Sequence, residues 1–419
     1  MRENEKGSCM TQQKRAVVGQ SGGPTSAINA TLAGVISGCL SEGFTEIYGM
    51  KNGVEGFLNE ELIDLKGYFS SPDDAALTLL AHTPSAALGS CRKKIRDEET
   101  IEKMYAIFEK YEIDCFFYIG GNDSMDAVRR LSEYASAHPD KRKVSFVGVP
   151  KTIDNDLVLT DHTPGFGSAA KYIAASMQEI LRDCAVYRTR AVTIVEIMGR
   201  DAGWLTASAA LSNALTGVGP ALIYLPECAF SSERFLTDLN RLFETGDVPY
   251  IVVAVSEGLR DENGEYVGSS AMSGAVDSFG HKYLSGTGKY LENLVREKIG
   301  CKVRSVEVNI LQRCAAHLAS QTDLSESLSV GKAAAHFGAE GQSGVMAAFV
   351  REENDGQYSV RIEAVPVGDV ANAVKKVPRE FINAEGNGVT KACIDYLAPL
   401  IRGEVPVEYK NGLPIHFSF

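Results

Sequence analysis

None of the nine cysteines forms a Cys-x-x-Cys pair or stands at metal-ligand spacing from the seven histidines. Most, such as Cys39, Cys115 and Cys184, lie inside apolar patterns and read as reduced, mostly buried thiols. His82, His162, His281 and His317 have no visible serine or cysteine partner, which argues against a hydrolase triad and favours structural roles. The His281-Lys282 pair, in a long loop, is the one to watch. No apolar run approaches the roughly 18–20 residues that span a bilayer. The polar start, Met1 to Arg15, lacks the apolar core of a signal peptide, so a cytoplasmic protein is expected. A positive balance is missing too. The net charge is −12, with no Lys/Arg stripe interleaved with aromatics, so neither nucleic acid nor membrane is an expected partner. Anionic ligands would have to be captured by local clusters of arginine and lysine.

What remains is ordinary in bulk and unusual in arrangement. The 419 residues, 44% hydrophobic and 23% charged, suit a globular chain of two or more domains. Short β-branched runs at 16–19, 114–119, 144–149, 191–197 and 250–255 alternate with helical patterns at 27–40, 124–137 and 202–215. That alternation predicts parallel strands covered on both faces, an α/β doubly wound class. A Gly/Ser-rich stretch between Gly258 and Gly288 is too long for an ordinary connection. Asn354-Asp355-Gly356, between two apolar runs, predicts a hairpin.

Each glycine-rich or charge-rich cluster falls directly after a predicted strand: Ser21-Gly22-Gly23, Gly120 to Ser124, Lys151 to Asp156, Met198-Gly199-Arg200 and Ser256-Glu257-Gly258. Ligands of open α/β sheets bind at this rim. Gly120 and Gly121 permit close backbone approach, and the helix that follows offers free N–H groups to an anion. Asp123 is the misfit, a carboxylate where phosphate should approach. Asp123 and Ser124 also read as simple helix caps. Asp154 and Asp156, two residues apart on a tight loop, can divide labour between taking a proton and orienting the nucleophile or holding a metal. The competing reading is an Asx-turn. Lys151, Arg200 and Arg92 add cations that suit a transferring phosphoryl group. Lys375-Lys376, near Arg379, reads as a solvated basic turn.

Together, Gly22-Gly23-Pro24, Gly89-Ser90-Cys91-Arg92, Gly-Gly-Asn-Asp-Ser at 120–124, Pro-Lys-Thr-Ile-Asp-Asn-Asp at 150–156, Glu196-Ile197-Met198-Gly199-Arg200 and Leu311-Gln312-Arg313 resemble the 6-phosphofructokinase family. They match in order and approximate spacing from Ala16 to Ala335. The resemblance implies two similar Rossmann-like domains with the active site in the cleft between them. Residues 13–164 plus about 312–385 would bind the phosphoryl donor. Residues from about 165–311 plus 386–419 would bind the sugar. It also implies Mg2+-assisted transfer of a phosphoryl group to the 1-hydroxyl of fructose 6-phosphate. Asp154 would be the proton acceptor with Asp156 its partner, and Arg200 would stabilise the transferring group. Gly22, Gly23, Arg92, Gly121, Ser124 and Lys151 would hold the donor. Thr152, Ile153, Asp154, Met198, Gly199, Arg200, Glu257, Arg304, Ile310 and Arg313 would hold the sugar phosphate, with Arg304 or Arg313 open to reach in from a second subunit. Asn122 stands where many relatives have a metal-binding Asp, Ile310 where bacterial ATP enzymes have a histidine, and Ala191 where they have an intersubunit arginine.

ATP-dependent members carry glycine at the positions of Asp123 and Lys151. This chain therefore resembles the pyrophosphate-dependent branch: Asp123 would repel a nucleotide's α-phosphate, and Lys151 would supply charge to a small, highly charged donor. The expectation is a glycolytic homodimer using pyrophosphate. The alternatives are an ATP-dependent relative, a non-catalytic sugar-phosphate sensor and an NAD-kinase-like enzyme.

Overall fold

The computed structural model describes residues 14–213, 217–246, 248–268, 286–354 and 356–419. Eleven strands build two sheets: β1 (Arg15–Gln20), β2 (Glu46–Met50), β3 (Leu62–Asp64), β4 (Cys115–Gly120), β5 (Ser145–Pro150), β6 (Ala191–Ile197), β7 (Leu222–Tyr224), β8 (Tyr250–Ser256), β9 (Lys302–Glu307), β10 (Val345–Asn354) and β11 (Gln357–Pro366). The larger sheet runs β11-β10-β5-β4-β1-β2-β3 and the smaller β7-β8-β6-β9. All pairings are parallel except β2–β3 and β10–β11. The chain is α/β, as its alternating pattern predicts.

The strands are apolar on both sides because both sides are covered. Along β4, Cys115, Phe117 and Ile119 enter one core while Phe116 and Tyr118 enter another. From β1 the chain winds to β2, and from β4 it winds the opposite way to β5. The order therefore reverses between β1 and β4, the kind of crevice where ligands of open sheets sit. The turns after these two strands carry the Gly22-Gly23 and Gly120-Gly121 pairs.

Helices Ile28–Ser41 and Gln321–Ala339 cover one face of the large sheet and touch backbone to backbone. A Cβ on Gly331 would lie 2.3 Å from Thr31 O, and one on Gly34 would lie 2.2 Å from Leu328 O. Neither contact can yield without parting the helices. Gly331→Ala is therefore expected to lower stability by about 2–3 kcal/mol, read as a fall in the midpoint of urea unfolding. A second fixture comes from Asp323, which accepts the N–H groups of Gly165 and Ser168 at 2.9 Å each. It caps helix Phe166–Cys184 from another helix, fixing the chain that leaves the 150–156 loop.

Several expectations need correction. The predicted helix over 202–215 is a short α-turn, Trp204–Ser208, followed by a 3-10 turn, Ala209–Ser212; residue 215 lies outside the described residues. β2, β3, β7 and β9 carry too few apolar residues or are too short to announce themselves. The proposed division of the chain also differs in detail. Val377 and Ile382 pack into the core beside the smaller sheet, whereas Phe417 stacks on Phe69 in the larger sheet's core. Lys375 is no solvated turn, since its ammonium points inward to Asp161 O at 2.7 Å. β10 and β11 pair as the hairpin signal predicts, although Asp355 of that signal lies outside the described residues. So do His281, Lys282 and most of the 258–288 stretch.

Candidate active site

The strand ends open into one cleft of about 800 Å3, lined by the turns after β1, β4 and β5 on one side and after β6, β8 and β9 on the other. Of the predicted residues, Gly22, Gly23, Arg92, Gly121, Asn122, Asp123, Ser124, Lys151, Thr152, Ile153, Asp154, Asp156, Met198, Arg200, Glu257, Ile310 and Arg313 all line it. Two do not. Gly199 instead supports the wall, donating its N–H to Glu257 Oε1 at 3.3 Å and accepting from the Ser256 hydroxyl. Arg304, on edge strand β9, turns outward toward Asp183 at 3.9 Å. Within this chain it takes no part in the cleft.

Helix Asn122–Ala137 begins at Gly121, and no side chain caps it. Asp123 and Ser124 are therefore second and third helical residues, and the capping reading falls away. The open N-terminus presents its N–H groups and dipole to the cleft. Ser124 instead bonds Ser21, tying the two glycine turns together. Any Cβ on Gly120 would collide with both hydroxyls. Asp123 pairs with Lys94 at 2.9 Å, a partner that sequence reasoning missed although it lies two residues past Arg92.

Lys151 leaves the end of β5, beside the Gly120–Pro150 pair of strand ends. It is almost wholly buried, and its Nζ donates to Gly23 O at 2.7 Å. Burial pushes its ammonium down to about 8, Asp154 pulls the other way, and Arg313 and Arg92 add repulsion. Arg313 crosses to the same turn, where a Cβ on Gly23 would lie 3.1 Å from its Nη1.

The 150–156 loop is closed without the Asp154 carboxylate. The Thr152 hydroxyl accepts the Asp154 N–H at 3.0 Å, and the Thr163 hydroxyl donates to Thr152 O at 2.8 Å. The Asx-turn reading thus fails at Asp154, whose carboxylate is left for chemistry, whereas Asp156 does bond the loop backbone. Burial raises the Asp154 pKa, against the attraction of Arg200 and Lys151. Burial and then Asp154 push Asp156 up to about 7. Glu257 rises to about 8 by burial, with Asp154 adding to it. At neutral pH a protonated Glu257 can donate to a hydroxyl, and the Asp154 carboxylate, whose charged form Arg200 and Lys151 favour against burial, is the group placed to accept a proton.

Asn122 Oδ1 is buried with no hydrogen-bond partner. Among the described residues, no group of three or more His, Cys, Asp or Glu side chains could hold a metal. An orphan amide oxygen near a phosphate turn nevertheless fits Mg2+, which keeps waters and substrate phosphates as most of its ligands. The cleft also contains Glu196, quoted above only as part of a motif, and Asp201, Glu307, Asn309, Asn372 and Val374, to which no role was assigned. Glu196 opens the quoted 196–200 stretch and Asp201 directly follows it, and that adjacency was the available signal. Gln312, part of a recognised motif, proves a support: its Oε1 accepts the Met198 N–H at 3.2 Å. His162, wedged between Asp161 and Glu326 and stacked on Phe349, is structural.

A doubly wound sheet with a phosphate-receptive switch point, a buried base and converging cations defines a phosphoryl-transfer enzyme. Residues 15–337 match the family model described as Phosphofructokinase, and the chain belongs to that family as one of its enzymes. It is 41% identical over 408 residues to a protein from Xanthomonas campestris pv. campestris, covering 95% of this chain and 94% of that one. It is 39% identical over 412 residues to one from Halomonas elongata, covering 96% and 95%. Both are named pyrophosphate–fructose 6-phosphate 1-phosphotransferase. A solved structure of a pyrophosphate-dependent phosphofructokinase from Nitrosospira multiformis superposes with a TM-score of 0.86 at 36% identity, covering 96% of each chain.

Proposed function

We propose that this chain catalyses reversible transfer of a phosphoryl group from pyrophosphate to the 1-hydroxyl of fructose 6-phosphate, as a cytoplasmic glycolytic enzyme. The observation that carries the reading is the buried Lys151 ammonium at the end of β5, next to the Gly120-Gly121 turn that leads into Asp123. Lys151, Arg92 and the uncapped helix start would bind the donor's phosphates. Asp123, held by Lys94, limits what can extend beyond them. Asp154 accepts the proton of the attacking hydroxyl, and Arg200 stabilises charge on the group in transit. Arg313, Glu257 and the Met198-Gly199-Arg200 turn would orient the sugar phosphate. Asn122 would help to hold Mg2+, which when bound neutralises charge on the donor. Because one phosphoanhydride bond is exchanged for a phosphate ester without ATP, the reaction is expected to run in both directions. The enzyme is taken to be a dimer, in which Arg304 could serve the partner's cleft.

The direct test is turnover of fructose 6-phosphate with pyrophosphate and with ATP as alternative donors. Robust turnover with ATP and none with pyrophosphate would refute the proposal.

The pH profile provides a second check. As pH falls through about 7, Asp156 takes up a proton beside the Asp154 base, to which it is coupled by charge. As pH rises through about 8, Lys151 loses its charge. The kcat/KM for pyrophosphate should therefore be bell-shaped between these values. Lys151→Arg, which stays protonated throughout, should weaken the alkaline limb and leave only the part that follows deprotonation of Glu257. An unchanged alkaline limb in that variant would assign it to another group.

A further inference from the structure

Residues 372–377 cross between the two sides of the cleft, with Asn372 and Val374 in its wall. On one side they grip the catalytic loop. Lys375 Nζ donates to Asp161 O at 2.7 Å, Thr160 O at 3.1 Å and Asn155 Oδ1 at 3.2 Å, and its N–H donates to Asp156 O at 2.8 Å. Asn155 stands between the two carboxylates with φ of 53°, and its amide donates to Tyr396 Oη at 3.3 Å. On the other side the same strip grips the turn that follows Arg200. Trp204 Nε1 donates to Lys375 O at 3.0 Å. Glu227 Oε1 accepts the N–H groups of both Val377 and Gly203 at 2.9 Å.

We propose that residues 375–377 are a staple that holds the Asp154–Asp156 loop and the Arg200 turn in register, with Lys375 and Glu227 as positioning residues for phosphoryl transfer. This rests on the roles given above to Asp154 and Arg200. The base comes from the large sheet and the arginine from the small one, so their separation depends on whatever bridges the sheets. An ammonium has three N–H donors, and all three of Lys375's are used on loop acceptors. None is left for substrate, which makes Lys375 a support and not a ligand. Glu227 works by geometry, since one oxygen takes both N–H groups while Oε2 is buried without a partner.

The test compares wild type with Lys375→Met, Glu227→Ala and Glu227→Gln, each first shown to be folded by circular dichroism and thermal melting. Because a 1 Å misplacement in a reacting pair costs about 100-fold, Lys375→Met and Glu227→Ala should lower kcat by about that factor. KM for pyrophosphate and fructose 6-phosphate should stay within about threefold. Glu227→Gln should retain near-wild-type kcat, because its amide oxygen can accept the same two N–H groups. Folded Lys375→Met with wild-type kcat would overturn the staple, and so would a loss confined to KM. If Lys375→Met does not fold, Trp204→Phe, which deletes the bond to Lys375 O and shrinks a buried ring packed on Phe381 and Tyr396, must, when shown to be folded, lower kcat at unchanged KM or the proposal fails. Wild-type enzyme inactive with pyrophosphate refutes the activity itself; active wild type with unaffected variants refutes only the staple.

Discussion

Asp154→Ser should lower turnover by about three to four powers of ten and leave KM for fructose 6-phosphate nearly unchanged. The carboxylate makes no hydrogen bond that closes its own loop, because the Thr152 hydroxyl does that work. Its surroundings are arranged around its charge instead: burial disfavours ionisation, and Arg200 and Lys151 oppose that effect. Removing it takes away the proton acceptor, and serine is too short and too weakly basic to replace it. A loss of this size corresponds to about 4–5 kcal/mol of transition-state stabilisation. The fold should not suffer, since a buried, destabilised carboxylate is lost and the loop's own hydrogen bonds remain. The variant is therefore expected to melt at or slightly above the wild-type temperature. Steady-state kinetics together with a thermal melt decide the matter, and substantial retained turnover would remove Asp154 as the base.

The second large effect concerns the donor. Asp123→Gly combined with Lys151→Gly should lower turnover with pyrophosphate by at least about 100-fold and produce measurable turnover with ATP. Lys151 is a buried cation next to the phosphate turn, and glycine leaves both a charge deficit and space. Asp123 presents a carboxylate on the first turn of the receiving helix, and Lys94 holds it there at 2.9 Å. With Asp123 gone, the region that a longer donor must cross is opened. The single variants should behave unequally. Lys151→Gly alone should weaken pyrophosphate use without admitting ATP, because Asp123 still stands in the way. A double variant that gains no ATP activity while keeping its fold would mean that discrimination lies elsewhere in the cleft.

Much of this arrangement could be read in the chain because its chemistry is local. The Gly120-Gly121 turn, the Thr152–Asp156 loop and the Met198–Arg200 turn each follow a strand long and apolar enough to recognise. The position of a cluster just past such a strand places it on one rim. Lys94 was harder, since a lysine in a basic run reads as solvated until its distant partner, Asp123, is known. Arg304 lies outside its own chain's cleft, which leaves for it only the expected reach into a second subunit. Its spacing from Arg313 suggested a pair, but alternation along edge strand β9 turns its side chain outward. Asp123 and Ser124 read as caps only while the helix was thought to begin later than it does.

The class of fold, the rim on which the chemistry collects and the misfit of Asp123 at a phosphate turn are all legible in the linear chain. These depend on hydrophobic period, glycine placement and residue type, all properties of short segments. Tertiary structure alone decided which cations meet the carboxylates, that Lys375 turns inward, and that Asp323 caps a helix far from it in sequence. Those facts depend on residues brought together from separate segments, more than a hundred positions apart for Lys375 with Asp161 and for Asp323 with Gly165. Burial, which sets the pKa values of Lys151, Asp156 and Glu257, exists only once both sheets are assembled.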